Sequence, residues 1–363
     1  MLLSSHVLRA AVYFVIGLTV AEIYTKDQTN ANIKNKASIE VKPTRSNTFY
    51  VVSVQIGSST LNLSVDTGSS DLWVFPSTLS TNKTTGHNTY TPSTHAIPLD
   101  GYNFSSSYAE GTTVTGNVVQ DYVSLGGLET YSQSIETASD IPASFVNETS
   151  RDGILGLGFG SINTVRPRPQ KTFFEMVVEQ LEQPVYAALL KDGAVGSLDF
   201  GFVDHAKYKG EELGYMSVDS SDGLWAIRLD GYRVGESPRR SFEVEKAAVD
   251  TGTSILMLPD EIVQDYYTEI PSAMNSSSMN GYIFNCDEEM PDFSIHIGDY
   301  TATIPSKFMK YSDVGMVDGR DKCYGSLQRQ NTLAFSVLGH PFLKSQYVVF
   351  DMGKMRLGLG EQS

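Results

Sequence analysis

Two aspartates in this chain sit in nearly the same local string. Asp66-Thr67-Gly68-Ser69-Ser70 and Asp250-Thr251-Gly252-Thr253-Ser254 each follow a valine, Val65 and Val249. In both, an apolar run meets a Thr-Gly turn, and the glycine lets the backbone fold tightly enough to present amides and a hydroxyl to the carboxylate. Such a turn holds an acid; it does not merely expose it. Two carboxyls held at contact distance cannot both ionise cheaply, so they share one proton, and at a single pH one acts as base while the other acts as acid. That division suits the attack of water on an amide: the ionised group removes the water's proton and the protonated group hydrogen-bonds the carbonyl oxygen. A lone Asp-Thr-Gly reads as an ordinary turn. The second copy changes its meaning.

The elements that must position these acids also come in two copies. The Asp strings recur at an offset of 184 residues, and Ile154-Leu155-Gly156 recurs as Val337-Leu338-Gly339 at an offset of 183. Two motifs at nearly one offset imply a duplicated structural unit, each copy giving one equivalent loop to a shared site. A length of 363 residues accommodates two lobes. From Phe49 onward the pattern is short alternating runs broken by Gly, Ser, Asn and Asp, as in Tyr50 to Ile56 and Leu61 to Val65, which are strands. Helix signals are few: a capping box at Thr172 to Glu175 opening a helix through Leu181, and Pro259 starting another with Ile262, Val263, Tyr266, Tyr267 and Ile270 on one face. The reading is all-β, with small helices as accessories.

With those residues in view, the chain resembles the pepsin family of aspartic proteases, and within it fungal secreted members of the endothiapepsin and penicillopepsin type. The resemblance runs from about residue 37 to the end. It rests on Val65 to Phe75, Asp152 to Gly158, Ser161 to Val165, Ala248 to Ser254 and Phe342 to Asp351. It implies a bilobal fold with pseudo-twofold symmetry, an N-terminal lobe over 37–208 and a C-terminal lobe over 209–363, with the segments at 154–156 and 337–339 threading behind the two Asp turns. It implies endopeptidase action at acid pH by a water held between Asp66 and Asp250, a preference for large apolar residues around the scissile bond, and inhibition by pepstatin-like compounds. Ser69 and Thr253 would bond the outer carboxylate oxygens. A hairpin flap would carry Tyr108, Ala109 and Glu110, with Tyr108 bonded to Trp73 and walling the main specificity pocket. Glu110 stands where relatives carry an aspartate that admits lysine before the cut. Cys286 and Cys323 fall where the fungal enzymes place a disulfide. Four departures stand out: Ala109 where the flap usually has glycine, His340 where an aspartate is common, Ser64 in place of an acid or amide, and a stretch, 22–36, that is short for an inhibitory prosegment. His340 is expected to be cationic below about pH 6.5 and to favour ionised carboxylates nearby, unless it points away from the site.

Composition narrows the remaining classes. Forty-two acidic against 27 basic residues give a net charge of −15, which leaves no electrostatic footprint for nucleic acid. Arg9 followed by an apolar run from Ala10 to Ala21 reads as a signal peptide over 1–21, too short to span a bilayer, which takes roughly 20 residues. The chain is therefore expected to be secreted, a monomer acting on proteins and peptides. With export, Cys286 and Cys323, the two cysteines of the chain, pair by default. The sequons at Asn82, Asn103, Asn147 and Asn275 are expected on the surface, whereas Asn62, inside an apolar alternation, is expected to be packed. No His-Glu-x-x-His or Gly-x-Ser-x-Gly string occurs, and no metal or other cofactor is expected.

Overall fold

A computed structural model of the chain describes residues 35–108, 111–331 and 333–363. Alternation builds its strands: Tyr50–Ile56 buries Tyr50, Val52, Val54 and Ile56 and turns Ser53 to solvent. It pairs antiparallel with Ser59–Asp66, register Val51 to Ser64 through Ile56 to Ser59. Gly57 turns the corner at φ +54, where a side chain would run into Asp121 and Tyr90. The second strand delivers Asp66 at its end. The expectation for Asn62 fails here. The pleat that buries Leu61 and Leu63 points Asn62 outward, so it joins Asn82, Asn103, Asn147 and Asn275 on the exposed surface.

Among the described residues strands dominate, and three sheets contain them. The largest has 13 strands and joins early and late segments of the described chain: Ala37–Pro43 pairs with Ala194–Phe200, and Gln346–Asp351 pairs with Val185–Lys191. Asn35 already belongs to the fold, bridging Leu181 and exchanging backbone bonds with Gln180 and Glu182. A sheet of seven strands carries the second Asp turn and one of four carries the disulfide. The helices are short. Thr172 and Glu175 form the reciprocal capping box of Phe173–Val177, and Asp260–Thr268 buries Ile262, Val263, Tyr266 and Tyr267.

The duplication is visible in strand pairing. Ser59–Asp66 runs parallel to Gly153–Gly156, pairing Val65 with Leu155, and Arg240–Val249 runs parallel to Ser336–Leu338, pairing Val249 with Leu338. Each threaded segment then pairs antiparallel on its other side, with Leu72–Val74 and with Leu256–Leu258. Between the halves lies an aromatic core. Tyr186 stacks on Phe350 with ring centres 4.6 Å apart, and Trp225 meets Phe350 edge-on at 5.3 Å. Cys286 and Cys323 form the disulfide, closing a sequence separation of 37 residues; loop entropy for such a closure contributes about 3–4 kcal/mol.

Candidate active site

The two Asp turns meet at their threonines. Thr67 Oγ1 donates to the Val249 carbonyl at 2.8 Å and accepts from the Thr251 amide at 3.0 Å; Thr251 Oγ1 donates to the Val65 carbonyl at 2.9 Å and accepts from the Thr67 amide at 3.0 Å. All of these groups are buried. The exchange locks the turns together and gives both hydroxyls, both amides and both carbonyls a partner inside.

Each carboxylate is then held in the same way. Asp66 accepts from the Gly68 amide at 2.9 Å and from Ser69 Oγ at 2.5 Å; Asp250 accepts from the Gly252 amide at 2.7 Å and from Thr253 Oγ1 at 2.5 Å. The glycines are required by contact across the axis. A Cβ on Gly68 would lie 2.6 Å from the Asp250 carboxyl carbon, and one on Gly252 would lie 2.3 Å from Asp66 Oδ1. Each acid therefore sits in the space left by the other turn's missing side chain. Burial, and after it the neighbouring Asp250 carboxyl, push Asp66 up to about 8, against the pull of Ser69 and Gly68. One proton stays with the pair far above the usual carboxylate range.

The threaded segments support these turns from behind. Leu157 N donates to the Asp66 carbonyl at 2.7 Å and Asp250 N to the Leu338 carbonyl at 3.1 Å. The Leu157 carbonyl in turn accepts from Tyr186 Oη at 2.9 Å and Trp225 Nε1 at 3.0 Å, fixing the first turn to the aromatic core. Asn163 Nδ2 lies within bonding distance of the Ser70 carbonyl, Asp71 Oδ1 and Glu136 Oε1. Burial raises Asp71, and burial with the adjacent Asp71 raises Glu136 further. The motif around Asn163 thus braces the segment that follows Asp66.

Above the acids, Ile97–Ser107 and Thr113–Leu125 form the arms of a hairpin. Tyr108, at its end, accepts from Trp73 Nε1 at 2.6 Å. Ala109 and Glu110 lie outside the described residues. Two cavities flank the acids, about 420 and 390 Å³, and Asp66, Tyr108, Gly252, Thr253 and Met257 belong to both. The first is walled by Phe49, Phe145, Ile154 and Arg151, with Ser64 at its base beside Asp66; the second, next to Asp250, is walled by Leu224, Phe335 and Val337.

Arg151 escaped the sequence reading. Its guanidinium lies 3.8 Å from the Phe49 ring centre and 4.5 Å from that of Phe145, a cation inside an aromatic wall. The available signal was position: Arg151 directly precedes Asp152-Gly153-Ile154, the segment threaded behind Asp66.

The expectation for His340 is corrected. Its ring is buried, and Nε2 lies 2.9 Å from the Thr251 carbonyl, so Nε2 carries the hydrogen. Burial lowers its pKa to about 4, so the ring is neutral through mild acid, not cationic below pH 6.5. It touches the Asp250 turn through backbone, as an uncharged donor.

Comparison with known proteins agrees with this architecture. The family model described as eukaryotic aspartyl protease matches residues 49–362. Aspergillopepsin-1 of Aspergillus fumigatus is 44% identical over 329 residues, 91% of this chain and 82% of the relative. Penicillopepsin-2 of Penicillium janthinellum is 44% identical over 321 residues, 88% and 80% of the two chains, and penicillopepsin-1 of Talaromyces stipitatus is 43% identical over 343, 94% and 86%. The chain belongs to the pepsin family of aspartic endopeptidases. Carboxylate pairs of aspartic proteases are the type case of one proton shared between two acids. In this pepsin-family chain the pair is enclosed by a bilobal all-β fold with a single disulfide. Among the described residues no group of three or more His, Cys, Asp and Glu side chains is placed to hold a metal, and no helix is long and apolar enough to cross a membrane.

Proposed function

We propose that Asp66 and Asp250 hydrolyse internal peptide bonds by holding one water between them, one carboxyl as base and the other as acid. The observation that carries this reading is the crossed threonine exchange, which places two identically bonded carboxyls each against the other's glycine. The ionised member takes the proton of the water as it attacks the scissile carbonyl, and the protonated member donates to the oxygen. Ser69 and Thr253 hold the outer oxygens, and Gly68 and Gly252 the inner ones. The apolar walls on both sides favour large apolar residues flanking the cut. The lobes divide at 208/209, each carrying one Asp turn, and the first carries the flap.

The pH dependence follows from the shared proton. Activity should be highest in acid and fade as pH rises through the upper of the pair's two values. Stability should move the same way. The Asp66 carboxyl titrates near 8 when folded and near 3.9 when unfolded, so the folded chain binds the proton more tightly across that window and stability falls as pH rises through it. Thermal melting of wild type from pH 4 to 8 should show that fall, and Asp66→Asn should flatten it. Equal slopes in the two proteins would reject the shared proton.

Lysine before the cut is accepted through Glu110, whose carboxylate pairs with the ammonium while the stem lies along the pocket wall. The lysine-to-leucine ratio in matched peptides should fall between pH 5 and 3, as glutamate protonates near about 4.3. Glu110→Ala should lower the ratio at pH 5 alone; an unchanged ratio removes Glu110 from substrate choice.

We also propose that the chain is secreted, on the strength of Arg9 and the apolar run 10–21, which lie outside the described residues. N-terminal sequencing of protein from the medium should find a start after Ala21; a start at Met1 would refute cleavage.

A further inference from the structure

Two further buried carboxyls, which the peptidase chemistry does not use, lie just beyond the first Asp turn. Asp71 and Glu136 are each only 1% exposed. The strand Leu72–Val74 begins one residue after Asp71 and runs parallel to Leu128–Asp140, with Trp73 opposite Glu136. The two carboxyls come within hydrogen-bond reach of each other.

The donors around them suffice for one carboxylate, not for two. Asp71 Oδ1 accepts from the Thr164 amide at 2.8 Å and Oδ2 from Thr164 Oγ1 at 3.0 Å. Glu136 Oε1 has Asn163 Nδ2 at 2.9 Å, but that nitrogen divides two hydrogens among Glu136, Asp71 and the Ser70 carbonyl. The Asn163 amide is held this way round by its oxygen, which accepts from the amides of Val165 at 3.2 Å and Gln170 at 2.8 Å. No N–H or O–H of another residue reaches Glu136 Oε2. Among the described residues no cation answers it either. The side chains that act on Glu136 are Asp71 and Asn163, and those that act on Asp71 include Thr164, Ser106 and Glu136. Arg166, two residues past Thr164, gives its guanidinium to the carbonyls of Asn163 and Val165. The Tyr108 hydroxyl, close enough to feel both Asp66 and Asp71, is the other titratable group on this side. A buried carboxylate oxygen without a donor is costly, whereas a hydroxyl in its place has Asp71 to accept from it. Burial, and after it the charge of Asp71, hold Glu136 well above the usual carboxylate range.

We propose that Glu136 is a positioning residue for the first Asp turn: it keeps one proton, donates it to Asp71, and through that bond holds the segment following Asp66. The Asp71 carbonyl accepts from the Gly156 amide at 3.0 Å, and Ser70 Oγ donates to the Phe159 carbonyl at 2.7 Å. The acid pair, the threaded segment and the catalytic turn therefore share one stretch of backbone. Loss of the proton would leave two negative charges in contact, buried and without a counterion. The folded chain binds this proton more tightly than the unfolded one, in which glutamate titrates near about 4.3. The stability it contributes is thus full below that pH and lost as pH rises through the higher folded value. This clamp sets how far toward neutrality the cleft survives.

Glu136→Gln supplies permanently what the proton supplies, an amide that donates to Asp71 and an oxygen that accepts from Asn163. Melting should be followed from pH 4 to 8 in Asp66→Asn, which has lost the shared proton of the cleft, and in the same protein with Glu136→Gln. The first should retain part of the fall with pH, its unfolding constant growing by up to about tenfold per pH unit more than that of the second. Infrared difference spectra of these two proteins at pH 7 should show a protonated carboxyl band that Glu136→Gln removes. Glu136→Gln alone should keep kcat and KM within about twofold of wild type in acid, and keep them after incubation near pH 8, where wild type loses activity. Asp71→Asn, which removes the shared proton from the other side, should flatten the melting profile in the same way. Equal pH slopes in the two Asp66→Asn proteins, absence of the band, or a loss of stability in Glu136→Gln and Asp71→Asn that is as large at pH 4 as at pH 8 would each overturn the proposal. The melting and infrared comparisons are made without Asp66, so their outcome does not depend on the peptidase reading.

Discussion

Asp66→Asn and Asp250→Asn should each give a folded protein whose peptidase activity is lowered at least about 10³-fold, the scale of losing a positioned acid or base in a mechanism that needs both. Asparagine is close to isosteric, and its oxygen still accepts from the turn glycine, so the fold should survive. What disappears is the exchangeable proton. The two substitutions should be nearly equal in effect, because the bonds to Asp66 from Gly68 and Ser69 match those to Asp250 from Gly252 and Thr253. The double variant should be scarcely worse than either single one, since the acids act as a unit. Steady-state cleavage of one peptide by the purified proteins checks this. Activity within about tenfold of wild type in either folded variant would contradict the assignment.

Thr67→Val and Thr251→Val should be the most destabilising of the conservative changes near the site. Each removes a hydroxyl that serves a buried carbonyl and a buried amide of the opposite turn, and valine keeps the shape while leaving both groups unpaired. Unsatisfied buried groups cost about 1–3 kcal/mol apiece, so each substitution should lower stability by about 2–6 kcal/mol. Activity should fall too, because the clamp sets the distance between the acids. Denaturant unfolding of the two variants reads the first effect, and kcat on the surviving folded protein reads the second. Unfolding midpoints equal to wild type would mean that the exchange does not hold the turns together.

Much of this arrangement was legible in the sequence because duplication leaves its own record. The matched Asp strings and threaded apolar segments recur at nearly one offset, and the strand pairing repeats accordingly, Val65 with Leu155 and Val249 with Leu338. The capping box at Thr172 and the buried face of Asp260–Thr268 were also readable, since capping and helical period are local properties. Asn62 was misread because an apolar neighbourhood in a strand says nothing about alternate positions: the same pleat that buries Leu61 and Leu63 must expose Asn62. His340 was misread for a different reason. Its type suggests a charge, yet burial decides whether that charge exists, and burial is a property of the packed helix His340–Leu343. Arg151 went unnoticed because the residues that make it part of a cleft wall, Phe49 and Phe145, are distant in sequence.

If one cleft holding two interdependent acids performs the cleavage, a pepstatin-like inhibitor should titrate it. Hydrolysis of a denatured protein substrate at acid pH should fall linearly with added inhibitor and vanish at one equivalent per chain, while chelators and serine-directed reagents have no effect. Hydrolysis that persists at saturating inhibitor would mean that another site cuts the peptide bond.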